Sequence, residues 1–323
     1  MVDQNDILIS DEIVSEPARV RSVLAHRVRE LLDQYPGKEL HVARLVIPLQ
    51  PLDPFAWLQA QALFPRVYWH GRDDDTATAA VGIADRCFGG SEASYGDLRA
   101  QLDVVLPKSD AHVRYFGGFR FDREALHSPE WEKFGTFTFV LPRFEYSVRG
   151  DHALLACNLL LPRDVERRDQ ILREIELLGF PDTALNGELP LPQSRVDRPG
   201  LDGWTQNVEW ALHEFRDGRM KKIVLARRAD FRFDERLDPM IILKRLEKAT
   251  ANCFRFAFQI ERDSAFVGAT PERLFRRSGR RVWTEAVAGT RPRSETPEED
   301  TRLLRDLLGS EKDQREHAYV RES

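Results

Sequence analysis

The sequence has few cysteines and no long apolar run. Its three cysteines, Cys87, Cys157 and Cys253, are odd in number and widely spaced, so neither a disulfide framework nor a zinc site is expected from them. A membrane-crossing helix needs about 20 consecutive apolar residues, and no apolar stretch of this sequence approaches that length. The first ten residues, MVDQNDILIS, lack the basic and apolar regions of a secretory signal. We therefore expect a cytoplasmic protein with reduced cysteines.

The sequence also lacks an excess of positive charge. Lysine and arginine number 48 against 53 aspartates and glutamates, which gives a formal net charge of −5. This balance argues against a protein that binds nucleic acid or a membrane surface through a basic face. Acidic residues are interspersed among arginines in the segment 163–169, which predicts a solvated helix face there. With 42% hydrophobic residues, the composition is that of a folded globular protein.

Helical and strand-like patterns alternate along the chain. Apolar residues at helical spacing predict an amphipathic helix over 15–35, and short β-rich runs between turns follow up to about residue 160. This mixture indicates the α+β class. Prolines and glycines are concentrated in 181–203, which we interpret as a linker. We therefore divide the chain into an N-terminal part (1–180), this linker and a C-terminal region (204–323).

The C-terminal region is predicted to begin with a helix that Gly218 ends. A strand is expected over 221–233, and a hairpin turn at Ser278-Gly279. Thr270 followed by Pro271, and Thr296 followed by Pro297, are each typical of a helix start.

Three ionisable residues of this region have ordinary explanations when each is taken alone. Lys222 begins an apolar strand-like run, where a lysine is usually an exposed edge residue. Glu272 would be favoured in the first turn of a helix by the helix dipole. Glu316 is four residues from Lys312, which suggests an exposed ion pair, and the neighbouring His317 is more typical of a packed or surface histidine than of a metal ligand.

Four segments taken together resemble a known family. These are the lysine motif KIVLAR (222–227), the PERL motif VGATPERLF (267–275), the AGTR motif TEAVAGTRPR (284–293) and the SEKD motif SEKDQREH (310–317). In this order they resemble successive signatures of the chorismate-utilising enzymes. Upstream, the runs YFGGFRFD and FTFVLPRFE are similar to isochorismate synthases, including those of the menaquinone pathway. Four long motifs in register are a specific signal.

The resemblance implies a fold and a chemistry. The implied fold packs two antiparallel β-sheets together, with helices on the outside. Since family members continue past the SEKD motif, a fold that is incomplete at its C-terminus is expected. The implied reaction is the Mg²⁺-dependent conversion of chorismate to isochorismate, in which water adds at C2 and the C4 hydroxyl leaves. No obligate protein partner is implied, and the product is equally suited to menaquinone and to siderophore biosynthesis.

The resemblance also assigns roles to five residues. Lys222 matches the lysine that activates the water as general base, which requires an uncharged amine, and Glu272 matches the general acid. Glu316 matches a glutamate that binds Mg²⁺. Gly289 and Thr290 match the segment that lines the substrate pocket, where backbone N–H groups can bind a carboxylate; a glycine-permitted turn explains Gly289 equally well.

Two sequence positions distinguish the reactions that different enzymes of this family catalyse. Enzymes of the family that install ammonia generally carry glutamine in place of Lys222, and aminodeoxychorismate synthases commonly carry a lysine nucleophile in place of Ala288. Water is therefore the expected nucleophile. Three alternatives stay open at this point: a salicylate synthase, a catalytically inactive fragment of such an enzyme, and a non-catalytic binding module on the same fold.

Overall fold

The computed structural model describes residues 7–10, 12–106, 112–122 and 128–322. The chain divides into two compact units. The first unit comprises Met1–Leu189 and Leu237–Pro271, and the second comprises Pro190–Arg236 and Glu272–Ser323. The predicted linker 181–203 therefore contributes to both units, and residues 237–271, which the sequence division assigns to the C-terminal region, belong to the first.

The first unit is built on β-strands. These are β1 (Ile7–Leu8), β2 (His41–Leu49), β3 (Arg66–His70), β4 (Ala77–Val81), β5 (Asp85–Gly89), β6 (Phe116–Phe119), β7 (Phe137–Leu141), β8 (Phe144–Arg149), β9 (His152–Leu161), β12 (Phe254–Glu261) and β13 (Ser264–Thr270). Eight of them form one sheet in the order β1-β2-β9-β8-β4-β3-β12-β13, and the others form a three-stranded sheet, β5-β7-β6. Apart from the parallel pair β1–β2, neighbouring strands of these two sheets pair antiparallel.

Helices cover one face of the eight-stranded sheet. They are α1 (Pro17–Asp33), α2 (Pro54–Gln59), α4 (Arg168–Glu176) and α6 (Pro239–Ala249), while α3 (Tyr95–Val105) lies beside β5. The main core contains α1 side chains at a spacing of four residues (Val20, Leu24, Val28, Leu32) and inward-facing residues of the sheet. The predicted helix at 15–35 is confirmed, because this apolar stripe needs a sheet to cover it.

The three-stranded sheet packs on the opposite face of the eight-stranded sheet. Phe116 and Val140 of the small sheet form one apolar cluster with Val67, Ala80 and Phe258 of the large sheet. A second cluster joins further residues of the two sheets. Two antiparallel sheets therefore pack together within the first unit, as the resemblance implied.

Two expectations for polar and sulfur-containing residues have different outcomes. Cys87, Cys157 and Cys253 are buried and form no disulfide, as expected, and burial raises the pKa of Cys157 to about 12. The solvated helix face predicted at 163–169 is wrong in one respect, because Asp164 is fully buried. Asp164 lies in a short 3₁₀ helix before α4, where its carboxylate pairs with the buried Arg143.

The second unit contains shorter strands and three helices among the described residues. They are β10 (Ser194–Arg198), β11 (Arg228–Arg232), β14 (Arg276–Ser278), β15 (Arg281–Trp283), α5 (Leu201–Arg216), α7 (Pro297–Gly309) and α8 (Glu311–Glu322). The strands pair as two ribbons, β10–β11 and β14–β15. Ala211 is the one buried residue among those of this unit that the structure describes.

Two predicted elements of this region are wrong. The strand expected over 221–233 is shorter than predicted and comprises Arg228–Arg232, because its partner β10 pairs with those five residues only. Lys222 lies before this strand, in a segment without regular secondary structure. Thr270 ends β13 and begins no helix.

The predicted hairpin turn is confirmed, because Gly279 lies between β14 and β15 with φ of 57°. The helix predicted after Thr296 is also confirmed.

No helix in residues 7–10, 12–106, 112–122 and 128–322 combines the length and the apolar character that crossing a membrane requires.

Limited proteolysis of the full chain is expected to cut the second unit before the first. Local opening is least costly where few apolar side chains are buried, and the second unit buries Ala211 alone among its described residues. Mass spectrometry of the earliest fragments will locate the first cut. A first cut within β2 or β9, the long central strands of the first unit, would contradict this expectation.

Candidate active site

A β-hairpin brings the PERL motif next to the start of the AGTR motif. The two short strands β14 and β15 fold back on one another, so the residues that precede and follow them meet. Arg273 Nη1 lies 3.0 Å from Glu285 Oε1, and the Thr284 hydroxyl donates a hydrogen bond of 3.1 Å to the Leu274 carbonyl oxygen. Glu272 therefore precedes a segment that is held against residues 284–285.

The AGTR motif is in turn held by α7 and α8. Arg291 Nη2 donates to Asp313 of α8 at 2.8 Å, and Arg291 Nε donates to Asp306 of α7 at 2.5 Å. His317 Nε2 lies 3.2 Å from the Ala286 carbonyl oxygen, which accepts a hydrogen bond when Nε2 carries the proton. The pKa of Asp313 is lowered by hydrogen bonding with Ser310 and with Arg291. The carboxylate of Asp313 is therefore a fixed negative charge that orients Arg291.

Gly289 makes a close approach to both helices. Its φ of 78° lies in the left-handed region, and a Cβ at this position would lie 3.2 Å from Leu307 Cδ1 and 3.2 Å from Asp313 Cβ. Only glycine meets both conditions without strain. The residue that the resemblance assigns to the substrate pocket is thereby placed against the first turns of α8, with the exposed Thr290 beside it.

Gly289→Ala is expected to loosen the AGTR motif. The left-handed backbone costs an alanine about 1 kcal/mol, and the added methyl group must also displace Leu307 or Asp313. The matched control is Gly218→Ala, because Gly218 has a similar φ of 71° but nothing within 4 Å of its Cβ position. Hydrogen exchange of the amides in 286–291 should rise in Gly289→Ala and stay unchanged in Gly218→Ala. Equal exchange in both variants would show that the close contact is unimportant.

Glu316 does not form the ion pair that its spacing suggests. Although Lys312 and Glu316 are both described residues, no salt bridge joins them. Glu316 is half-buried and makes no hydrogen bond or ion pair with any residue that the structure describes. It lies three residues after Asp313, on the same side of α8. A carboxylate in this state is available to a ligand.

A single available carboxylate fits one protein ligand of Mg²⁺. This ion is usually held by one or two carboxylates, with water and substrate oxygens completing its shell. Within the described ranges there is no group of three or more His, Cys, Asp or Glu residues that could hold a metal. The donor set therefore fits a site that is completed by substrate, and it does not fit an all-protein cage.

Lys222 and Glu272 are placed differently from what their local sequence suggests. Lys222 is half-buried and makes no hydrogen bond or ion pair with a described residue. Glu272 is exposed and lies in an irregular segment after β13, so helix-dipole stabilisation does not explain it. Among the described residues, side-chain contacts join the PERL motif to the AGTR motif, and the AGTR motif to the SEKD motif. No such contact within the described part of the chain joins Lys222 to any of the three motifs.

Sequence reasoning missed three positioning residues. Arg291, Asp313 and His317 carry the contacts that hold the AGTR motif on α8. The first two lay within the recognised motifs without an assigned role, and His317 was interpreted as a packed or surface residue. The signal that was available is charge: Arg291 and Asp313 are opposite charges in two motifs of one predicted site.

Comparison with known proteins identifies the family. Residues 29–323 match the family described as chorismate binding enzyme. The chain is 30% identical to isochorismate synthase 2, chloroplastic, of Arabidopsis thaliana over 344 residues, which cover 96% of this chain and 60% of that protein. It is 26% identical to isochorismate synthase MenF of Escherichia coli over 308 residues, covering 93% of this chain and 66% of that one.

A solved structure has the same fold. The structure of MenF, the menaquinone-specific isochorismate synthase from Escherichia coli, superposes with a TM-score of 0.75 at 24% identity, covering 95% of this chain and 68% of that chain. The chain therefore belongs to the chorismate-binding enzymes, and its mixed α+β fold is that of the family. It spans less than two thirds of the length of these relatives in sequence, 60% and 66%.

Proposed function

We propose that the chain is an isochorismate synthase that converts chorismate to isochorismate in the presence of Mg²⁺. Support comes from its family and from the names of its relatives. The observation that carries the proposal is the set of contacts that draws the PERL, AGTR and SEKD motifs together within the second unit. These motifs are far apart in sequence but contact one another in the structure. We therefore expect them to contribute to one site.

Lys222 and Glu272 have complementary roles in this proposal. The uncharged Lys222 amine accepts a proton from water as its oxygen bonds to C2 of the ring, and the protonated Glu272 donates its proton to the C4 hydroxyl, which leaves as water. Each turnover leaves lysine protonated and glutamate ionised, so the two groups exchange a proton through solvent before the next one. A half-buried Lys222 without a hydrogen bond or ion pair to a described residue suits this role, because no competing partner occupies the amine.

The remaining three residues hold the substrate. In this proposal, backbone N–H groups at Gly289 and Thr290 bind a substrate carboxylate, and Arg291 fixes their segment through its contact with Asp313. Glu316 would hold Mg²⁺, whose positive charge neutralises a carboxylate of the substrate. The proposal requires no second protein and places the reaction in the cytoplasm.

The test is isochorismate formation by the purified full chain. Chorismate is incubated with the chain, with and without Mg²⁺, and the products are separated by liquid chromatography. Isochorismate that accumulates only with Mg²⁺ supports the proposal, whereas salicylate and pyruvate would identify a salicylate synthase. Absence of turnover above that of Lys222→Ala would mean that the chain is catalytically inactive by itself.

A further inference from the structure

Strands β3 and β13 end at the same edge of the eight-stranded sheet. Both pair antiparallel with β12, where Arg255 is opposite His70, the last residue of β3, and Phe254 is opposite Thr270, the last residue of β13. Because β12 lies between them, β3 and β13 are two strand spacings, about 10 Å, apart. The residues that follow them therefore leave the sheet on either side of the start of β12.

The side chain of Arg72 crosses this distance. Arg72 is the second residue after β3, and its Nη1 donates a hydrogen bond to the Pro271 carbonyl oxygen, just after β13. The guanidinium lies over the Phe254 ring, with its carbon 5.3 Å from the ring centroid, an arrangement typical of a cation–π contact. The ring at the start of β12 thus supports the arginine between β3 and β13.

A second contact fixes the guanidinium from its own loop. Arg72 Nε lies 3.2 Å from Asp73 Oδ1, so one planar group serves Asp73 through Nε and Pro271 through Nη1. The loop is closed in turn by Asp74, whose carboxylate accepts hydrogen bonds from the Thr76 N–H at 3.1 Å and from the Thr76 hydroxyl at 2.8 Å. A lysine, with a single nitrogen, has no such pair of separated donors.

The Pro271 carbonyl belongs to the peptide group that leads into Glu272. The six atoms of this group, from the Cα of Pro271 to the Cα of Glu272, lie close to one plane. A hydrogen bond that fixes the carbonyl oxygen therefore also restrains the Cα atom from which the Glu272 side chain starts. Glu272 lies in no helix or strand, so its position depends on contacts of this kind.

Along the chain, Glu272 has a restrained residue on each side. Pro271 before it is bonded to Arg72, and Arg273 after it is paired with Glu285. A general acid must lie within hydrogen-bond reach of the leaving oxygen, and misplacing a catalytic group by about 1 Å can lower the rate by about 10²-fold. Restraint on both sides suits a residue with this task.

We propose that Arg72 is a positioning residue for Glu272, because it holds the peptide group that joins Pro271 to Glu272. The arginine acts through the backbone and not on the substrate. The inference rests on the proposed role of Glu272 as general acid.

Arg72→Gln is expected to lower kcat for isochorismate formation about 10- to 100-fold, with little change in KM, because the acid is misplaced while the substrate is still held. The matched control is Arg21→Gln. Arg21 Nη1 likewise donates to a carbonyl oxygen, that of Leu178 at 2.8 Å, and the Arg21 guanidinium lies 5.8 Å from the Phe180 ring. This control should leave kcat unchanged, and a kcat of Arg72→Gln that equals it would overturn the proposal.

A double-mutant cycle with Glu272→Gln shows whether Arg72 acts through the acid. In the Glu272→Gln background there is no proton to place, so Arg72→Gln should lower kcat no further. An equal loss in both backgrounds would overturn the proposal, because the arginine would then support the fold in general. Arg72→Lys keeps the charge and should lose less in the same cycle; it takes the place of Arg72→Gln if that variant does not fold.

Amide hydrogen exchange of residues 272–274 in the full chain gives a readout that needs no turnover. Exchange should rise in Arg72→Gln and stay at the parent level in Arg21→Gln, because only the first variant loses the restraint on Pro271. Unchanged exchange in Arg72→Gln would overturn the proposal whatever the activity. A parent chain that forms no isochorismate would instead refute the proposed function, and the exchange result would still decide whether Arg72 restrains Glu272.

Discussion

Asp164→Asn is expected to lower the free energy of unfolding of the first unit by about 3–5 kcal/mol, the usual cost of leaving one member of a buried ion pair without its partner. Arg143 Nη1 and Nη2 lie 2.5 Å and 3.0 Å from the two oxygens of Asp164. The arginine side chain is 2% exposed and the aspartate 0%. Asparagine keeps the shape of the side chain but removes the charge that compensates the guanidinium.

Asp164 is the main source of compensating charge at Arg143, and Glu174 contributes less. Burial lowers the pKa of Arg143, but the hydrogen bonds and charge of Asp164 outweigh burial and keep it above its ordinary value. Glu174 Oε2 lies 3.7 Å from Arg143 Nε, and neither atom forms a hydrogen bond. The Leu160 N–H also donates to Asp164, at 2.6 Å, so the carboxylate links β9 to the 3₁₀ helix.

The measurement is urea-induced unfolding followed by circular dichroism and tryptophan fluorescence. Asp33→Asn is the matched control, since it makes the same chemical change in an exposed pair with Arg168 at the same 2.5 Å separation. Exposed pairs contribute little, so this control should unfold as the parent chain does. Equal unfolding midpoints for Asp164→Asn and the control would show that the buried pair is dispensable.

Lys222→Ala is expected to reduce kcat for isochorismate formation by roughly 10²–10⁴-fold, the usual contribution of a general base, with little change in KM. The reason is that the amine acts on water in the reaction and does not hold the substrate. The matched control is Lys221→Ala, because Lys221 is the exposed neighbour in the same irregular segment. A Lys222→Ala variant that changes KM alone would assign the lysine to substrate binding.

Glu272→Gln should reduce kcat by a similar factor, since glutamine has the shape of the acid but no proton to donate to the leaving hydroxyl. Glu295→Gln, an exposed glutamate elsewhere in the second unit, is its control. Initial rates over a range of chorismate concentrations separate kcat from KM for all four variants. Unchanged kcat in Glu272→Gln would remove Glu272 from the acid's role.

Local patterns were sufficient for part of this protein. The helix α1 was predicted because its apolar stripe is a local signal, and the structure gives Pro17–Asp33. The turn at Gly279 and the start of α7 at Pro297 were predicted for the same reason. Family membership also follows from the sequence, because each of the four motifs is a contiguous string.

Tertiary structure decided what depends on distant partners. Residues 222–227 would form a strand only if β10 paired with them, and β10 pairs with Arg228–Arg232. The lysine motif itself contains no signal for this choice of partner. Asp164 was expected to be solvated because its neighbours are charged, yet it is buried because Arg143, 21 residues away, meets it. Arg72 meets Pro271, which lies 199 residues further along the chain.

The sequence by itself determined the α+β class, the family and the identity of the candidate catalytic residues, because these are written in short contiguous patterns. Only the tertiary structure decided the strand order, the assignment of 237–271 to the first unit, and the contacts that place Gly289 against α8. The physical reason is that strand pairing and side-chain burial are long-range interactions, whose energies depend on partners that no local window of sequence contains.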